Sequence, residues 1–147
     1  MHFIDNVVKR SEGSGVFISY GSHDVIYNNH FEEIGHPFAR AIHFSGLNMV
    51  GQTISRNRIH TDGAGAIGQL WGSHIVAEYN HVTNSGLLII DNQGIGGGKP
   101  TSYTTMQYNW LHDSFNLGIR YDAGEDGLFP THNNAYFNLA FRNLQGI

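Results

Sequence analysis

Cysteine is absent from this chain of 147 residues. Its absence excludes disulfide bonds and thiolate metal sites, and it leaves the redox compartment open. Charged residues make up only 14% of the sequence and form no basic stripe that would follow a nucleic-acid backbone. The chain also has no polybasic membrane motif, no apolar run of transmembrane length and no signal-peptide pattern at Met1. Nucleic-acid and membrane partners are therefore not expected.

The sequence also lacks any ten-residue amphipathic stretch with helical periodicity. It contains 19 glycines and 14 asparagines instead, whereas helical proteins are rich in Ala, Glu, Lys and Leu. With 40% hydrophobic residues, a chain of this length buries a single core. These features predict one turn-rich, all-β domain over residues 1–147.

An asparagine recurs in six similar segments, at spacings of 23, 28, 23, 29 and 29 residues. The segments are FIDNVV, IYNNHF, ISRNRI, AEYNHV, MQYNWL and AYFNLA, which align on Asn6, Asn29, Asn57, Asn80, Asn109 and Asn138. A period of this length is typical of a solenoid, in which each short strand pairs in parallel with its equivalent one coil on. Stacked side-chain amides would then hydrogen-bond along the solenoid axis.

Hydrophobic residues flank each asparagine at fixed positions. The hydrophobic residues at the second position after each asparagine are predicted to point inward; they are Val8, Phe31, Ile59, Val82, Leu111 and Ala140. The same is predicted for those at the third position before each of the later five asparagines, which are Ile26, Ile54, Ala77, Met106 and Ala135. Six to twelve residues after each asparagine, a Gly or Ala opens a second short strand, as in GVFIS, AIHFS, GAIGQ, GLLII and GIRYD. The glycines suit turns that require a positive φ or a close backbone approach.

This combination of motifs resembles the right-handed parallel β-helix repeat of the pectate-lyase-like superfamily. The resemblance covers essentially the whole chain and implies a solenoid of about five to six coils. Two segments, NRIHTDGAGAIGQLWG and YNWLHDSFNLGIRYDAGEDG, are similar to coils of large bacterial β-helical glycoside hydrolases. The superfamily also includes polysaccharide lyases, phage tailspikes and surface adhesins. The resemblance therefore specifies the fold but leaves several activities open. The resemblance further implies a secreted, extracellular or periplasmic location.

The second strand of each coil is predicted to carry the functional surface. If its side chains alternate, the outward ones mix aromatic, amide, imidazole, guanidinium and carboxylate groups, which suits a polysaccharide or oligosaccharide. The predicted substrate-binding residues are His43, Gln69, Trp71, Asn92, Arg120, Glu125 and Asp126. The same alternation places Ile67, Leu88 and Ile90 outward, and the alternative is that a missing segment or a second chain covers this apolar part.

Asp91 and Asp122 are the predicted catalytic pair. Both are expected to end equivalent strands in adjacent coils, which would place them roughly 5 Å apart, as in retaining glycosidases. Two carboxylates at that distance divide into an acid and a nucleophile because only one ionises freely. The alternative is that both simply cap turns in Gly-rich loops. Arg120 is expected either to hold an acidic sugar or to pair with Asp122.

Three function classes therefore stay open: a glycoside hydrolase, a polysaccharide lyase, and a non-catalytic glycan-binding or adhesin-type module. No cofactor is expected, except Ca²⁺ if the chain is a lyase. His60 and His112 are expected on one outer face two coils apart, in a structural role or as a lyase base. Both ends of the solenoid are expected to be uncapped, as in a fragment, so self-association through the ends is predicted.

Overall fold

The computed structural model describes residues 1–35, 39–46, 48–89, 91–98, 101–115, 117–122 and 130–144. Within these ranges the chain forms twenty short strands. They are β1 (His2–Ile4), β2 (Val7–Ser11), β3 (Val16–Ile18), β4 (Val25–Tyr27), β5 (His30–Ile34), β6 (Ile42–Phe44), β7 (Met49–Val50), β8 (Thr53–Ser55), β9 (Arg58–Asp62), β10 (Ile67–Gly68), β11 (Gly72–Ser73), β12 (Val76–Glu78), β13 (His81–Thr83), β14 (Gln93–Gly97), β15 (Thr101–Ser102), β16 (Thr105–Gln107), β17 (Trp110–His112), β18 (Leu117–Tyr121), β19 (Asn134–Tyr136) and β20 (Leu139–Phe141).

Every strand pairs in parallel with the equivalent strand of a neighbouring coil, which produces a β-solenoid of about five turns. The strands build four sheets along the solenoid axis. Sheet A has the order β1-β4-β8-β12-β16-β19, sheet B β2-β5-β9-β13-β17-β20, sheet C β3-β6-β10-β14-β18, and sheet D β7-β11-β15. The predicted all-β solenoid is confirmed.

Aliphatic side chains from three sheets fill the interior in columns. The inward columns predicted from the asparagine motif are confirmed in the inner coils, because Ile26, Ile54, Ala77 and Met106 are in register in sheet A and are fully buried. In the last coil Ala135 is in register with Met106 but is exposed. Sheet B contributes Phe31, Ile59, Val82 and Leu111, and sheet C contributes Ile42, Ile67, Ile95 and Ile119. Each coil thus covers the apolar residues of its neighbours.

The predicted asparagine ladder is also confirmed. The side-chain oxygen of Asn80 accepts from the backbone N–H and the side-chain amide of Asn57, both at 3.0 Å. The same two bonds recur at each step from Asn6 to Asn138. The ladder therefore supplies partners for amides that are buried at the corner between sheets A and B.

The residue before each ladder asparagine adopts a left-handed conformation. These residues are Asp5, Asn28, Arg56, Tyr79, Tyr108 and Phe137, with φ between 53° and 58°. The glycines adopt positive φ at other turns, among them Gly35, Gly51 and Gly86, as expected from the sequence. A non-glycine residue in this region is strained, and we attribute its tolerance to the ladder bonds on either side of the turn.

The register of sheet C differs from the predicted one in two coils. Ile67, predicted to point outward, is fully buried in register with Ile42. The strand predicted at GLLII is wrong over its described residues 86–89, because sheet C takes Gln93–Gly97 in this coil instead. Leu87 and Leu88 lie on the surface with 46% and 50% of their area exposed.

The residues before β14 form a loop that Asn92 closes. Asn92 is fully buried, and its side-chain amide donates to the carbonyl oxygens of Gly86 and Ile89. Gly86 begins the loop with a φ of 76°, a value that favours glycine. The extra residues of this coil therefore lie mainly before the sheet C strand.

Candidate functional site

The outer face of sheet C carries most of the predicted site residues. Parallel register aligns Phe17 with His43 and places Arg120 beside Gly96, with Gly68 between His43 and Gly96. Large side chains therefore stand at both ends of this column, and two glycines lie between them. We call this surface the sheet C face.

The two glycines form a floor across which neighbouring side chains lie. A Cβ at Gly68 would collide with Nε and Cδ of Arg40, and one at Gly96 would collide with the side-chain amide of Gln93. Arg40 and Gln93 can cross the face only because these positions lack side chains. Neither Arg40 nor Gln93 was predicted as a site residue. The signal that could have identified them is that glycine replaces a larger residue at positions 68 and 96 of this column.

His43 is fixed from two sides at one end of the face. Its Nε2 lies 2.6 Å from Oε1 of Gln69, and its Nδ1 lies 3.5 Å from Oγ of Ser14. The Phe17 ring packs edge-to-face against the imidazole at 4.9 Å. Burial lowers the pKa of His43, the bond to Gln69 raises it, and the charge of Arg40 lowers it further. The neutral imidazole is therefore favoured at physiological pH.

Arg120 joins the two predicted catalytic carboxylates at the other end. Its Nη1 donates to Oδ1 of Asp91, and its Nη2 lies 2.7 Å from Oδ2 of Asp122. The bond to Asp91 raises the pKa of the guanidinium most, burial lowers it, and the bond to Asp122 raises it again. The predicted pairing of Arg120 with Asp122 is confirmed, and Asp91 is a second partner.

The predicted position of Asp91 and Asp122 at the ends of equivalent strands is nevertheless wrong. They do not end equivalent strands, because Asp91 precedes β14 and Asp122 follows β18. Their side chains approach each other only through Arg120, which reaches one carboxylate on each side. Both carboxylates are largely open to solvent, with 82% and 50% of their side-chain areas exposed. Whether they act on a substrate stays a prediction.

A buried carboxylate lies behind the face and was not predicted as a site residue. Asp62 is 1% exposed, and its Oδ1 accepts from the backbone N–H of Gly65 and of Gly86. Within the described part of the chain, its Oδ2 has no hydrogen-bond partner. Burial raises the pKa of Asp62 to about 6, although the two N–H donors and the charge of Arg40 lower it. Asp62 is in register with the buried Ile34 of the preceding coil. An aspartate at a core position of the repeat is the sequence signal that could have identified it.

Asp62 also borders a surface cavity of about 550 Å³. The other lining residues come mainly from the ends of β2 and β5 and from the loop before β14, and include Ile34, Leu87 and Leu88 beside the charged Arg10 and Glu33. Arg10 and Glu33 pair with each other across this opening at 3.1 Å. Of the three apolar residues predicted to point outward, Leu88 lines this cavity, Ile67 is buried, and Ile90 lies outside the described residues.

The sequence matches the family described as the right-handed beta helix region over residues 1–143. The chain belongs to the right-handed β-helix family. No curated protein and no solved structure matches it significantly. Family membership agrees with the parallel sheets, and it covers the region that contains the sheet C face and the asparagine ladder.

The remaining predicted site residues have different positions in this β-helix. Trp71 lies at the margin of the sheet C face, where its indole packs over Gly98. Asn92 points into its own loop and not to the outer surface on which it was expected. Glu125 and Asp126 lie outside the described residues. His60 and His112 are aligned through Thr83 on sheet B, two coils apart as predicted, which is a different side of the β-helix.

The sheet C face of the β-helix is thus an array of hydrogen-bonding groups above a flat backbone floor. It offers imidazole, amide, guanidinium and carboxylate groups within a few coils, with aromatic rings at its margins. In the described ranges, no group of three or more His, Asp or Glu side chains has the arrangement of a metal site, and no helix is long and apolar enough to span a bilayer.

Proposed function

We propose that this right-handed β-helix binds a polysaccharide along the outer face of sheet C. The observation that carries the proposal is the continuous polar row from the His43–Gln69 pair, across Arg40 and Gln93, to Arg120 with its two carboxylates. Successive coils repeat every ~4.8 Å, so an extended chain lying along the axis would meet new hydrogen-bonding groups at each coil. Polar groups of both donor and acceptor type suit the hydroxyls of a sugar.

The aromatic residues at the margins of this face support the same assignment. Phe17 is 56% exposed, and Trp71 is half-buried beside Gly98. Rings in such positions are available to pack against the apolar faces of sugar rings. Between them Gly68 and Gly96 add no side chains, so the polar side chains of Arg40 and Gln93 lie across the face.

The other aromatic columns are less suited to this role because their rings cover each other. Tyr108 stacks between Tyr79 at 5.0 Å and Phe137 at 5.2 Å, and Tyr103 stacks between His74 and His132 in the same way. Such rings present edges to solvent, whereas a sugar ring packs on an aromatic face. We therefore assign these columns to stabilisation between coils.

Affinity electrophoresis through gels containing neutral and acidic polysaccharides tests the proposal. We expect retardation of the wild type by at least one polysaccharide, and its loss in Arg120→Ala. Arg56→Ala is the matched control, because Arg56 has the same charge but lies over Tyr79 on another column. Equal retardation of both variants, or none for the wild type across a broad panel, would contradict the proposed surface.

A second candidate function, glycoside hydrolysis, is favoured by one specific feature. Asp91 and Asp122 come from different coils, yet both contact the same guanidinium on this face. Hydrolysis requires one carboxyl group to protonate the leaving oxygen and another to act as nucleophile or base. Both carboxylates are engaged by Arg120, so a substrate would have to displace one of the two ion pairs.

Product analysis with the single variants Asp91→Asn and Asp122→Asn tests hydrolysis. A carboxamide cannot donate the proton or attack carbon effectively, so either change should lower hydrolysis by orders of magnitude while binding persists. Unsaturated products would indicate lyase chemistry instead. Binding without any cleavage would leave the β-helix as a glycan-binding module and would exclude the catalytic pair.

A further inference from the structure

Two histidines face each other on the outer side of sheet B, away from the sheet C face. His81 is in β13 and His112 is in β17, one coil further along the axis. Their Nε2 atoms lie 2.9 Å apart, with ring centroids separated by 5.1 Å. The ladder and the aromatic columns described above contain no such contact between two histidine ring nitrogens. This contact therefore requires its own explanation.

The orientation of His112 is set by a carboxylate. Its Nδ1 lies 2.6 Å from Oδ2 of Asp113, and Asp113 is held by two bonds from Arg142 at 2.6 and 2.7 Å. The Asp113 carboxylate is placed to accept the Nδ1 proton of His112. With that proton on Nδ1, the Nε2 lone pair of His112 faces His81. A carboxylate hydrogen-bonded to the other ring nitrogen is the usual arrangement of metal-binding imidazoles.

The His81 ring is also fixed in place. It stacks on the Trp110 indole with a centroid distance of 4.3 Å and an interplanar angle of 10°. Imidazole nitrogens held in this way are common ligands of transition metals.

We propose that His81 and His112 form a binding site for a divalent transition metal ion of the copper or nickel type. With metal–nitrogen bonds of about 2.0–2.1 Å, nitrogens 2.9 Å apart subtend an angle of about 90° at the metal. That is the angle between neighbouring ligands in square-planar or tetragonal complexes, which Cu²⁺ and Ni²⁺ prefer, and it is smaller than the tetrahedral angle of zinc sites.

Metal binding would replace the single proton that the two Nε2 atoms share. The proton on Nε2 of His81 would move to its own Nδ1, and both Nε2 lone pairs would bind the metal without any change in oxidation state. Among the described residues, no third His, Asp or Glu completes a metal-binding group here. Water or another exogenous ligand would occupy the remaining positions, so moderate affinity is expected.

Trp110 provides a local reporter because it stacks directly on His81. Trp71 is the other of the two tryptophans in the chain, so a Trp71→Phe background leaves Trp110 as the single indole emitter. In this background we expect CuCl₂ to quench the fluorescence with a one-to-one endpoint, and NiCl₂ to bind more weakly, following the usual order of divalent ions.

His81→Gln and His112→Gln should each weaken Cu²⁺ binding at least tenfold, and Asp113→Asn should weaken it by about 10–100-fold. His74→Gln is the matched control, because His74 is also a stacked histidine but packs on Tyr103 in a separate column. It should leave both the affinity and the quenching unchanged. Quenching that persists in both His81→Gln and His112→Gln would overturn the site and identify a plain hydrogen bond between the two rings.

A measurement on the unmodified protein covers the case in which a variant fails to fold. Substoichiometric Cu²⁺ should broaden the imidazole NMR signals of His81 and His112 before those of the other histidines. Simultaneous broadening of all ten histidines, or of a different pair first, would contradict the proposal. The site lies on a different sheet from the proposed glycan surface, so either proposal can fail without the other.

Discussion

Replacing Asn80 with leucine perturbs the asparagine ladder at its centre. Asn80 is 1% exposed, and its side chain takes part in four hydrogen bonds. Its oxygen accepts from the backbone N–H and the side-chain amide of Asn57, and its amide donates to the oxygen atoms of Ile54 and of the Asn109 side chain. Leucine has a similar volume but provides none of these groups.

The expected loss follows from which partners are left without a bond. The side-chain amide of Asn57 keeps the carbonyl of Ile26, and the Asn109 oxygen keeps the backbone N–H of residue 80. The backbone N–H of Asn57 has no such replacement, and a stranded buried donor costs about 1–3 kcal/mol. The other three bonds contribute about 0.5–1.5 kcal/mol each. Because such terms are not additive, we expect Asn80→Leu to lower the free energy of unfolding by about 3–5 kcal/mol.

Urea unfolding followed by far-UV circular dichroism measures this loss, and Asn6→Leu is the control. Asn6 stands at the first rung, where its side chain only donates, to Ile4 and to Asn29, so no backbone donor is stranded in the described structure. That variant should lose less than about 1.5 kcal/mol. Equal losses at the two positions, or a neutral effect of Asn80→Leu, would refute the reasoning about the ladder.

Three further predictions address other parts of the molecule. The folded-state pKa of Asp62 is raised from 3.8 to about 6. Its contribution to stability is therefore fully present below pH 4 and is lost as pH rises through 6, which lowers the free energy of unfolding by about 3 kcal/mol. The free energy of unfolding of Asp62→Asn should lack this pH dependence, and identical pH profiles of the two proteins would contradict it. Gly68→Ala should displace Arg40 and weaken polysaccharide binding, whereas wild-type retardation in affinity electrophoresis would show that Arg40 is not needed there. The 147-residue chain should associate as its concentration rises, because parallel edges and apolar residues such as Val7 and Leu139 are exposed at the two ends, and a monomer in sedimentation experiments would argue against it.

The ladder and the core columns of sheets A and B were predictable because one repeated asparagine fixes both strands beside it. A residue two positions after Asn80 must share a column with one two positions after Asn109, whatever the coil length. The period therefore determined the register without any knowledge of the loops. This is the physical reason why the solenoid and its interior were predicted correctly.

Sheet C follows loops of different lengths, and there the sequence offered two competing strands. The aliphatic GLLII matches strand propensity better than the glycine-rich QGIGG, yet β14 uses the latter. The decisive factors are non-local, since Gly96 is needed where the Gln93 side chain folds back and Asn92 closes the preceding loop. Contacts between coils also determine the salt bridges of Arg120 with Asp91 and Asp122 and the burial of Asp62. Local sequence patterns do not specify these contacts.

Hydroxyl-radical footprinting with and without a bound oligosaccharide tests the proposed surface most directly. Oxidisable residues lie on both sides of the molecule, with Phe17, His43 and Trp71 on or beside the sheet C face, and Tyr103 and Tyr108 in the aromatic columns. We predict that the ligand protects the first three from oxidation and leaves the two tyrosines unchanged. Protection of Tyr103 and Tyr108 with unchanged oxidation of Phe17, His43 and Trp71 would place the ligand elsewhere and contradict the assignment.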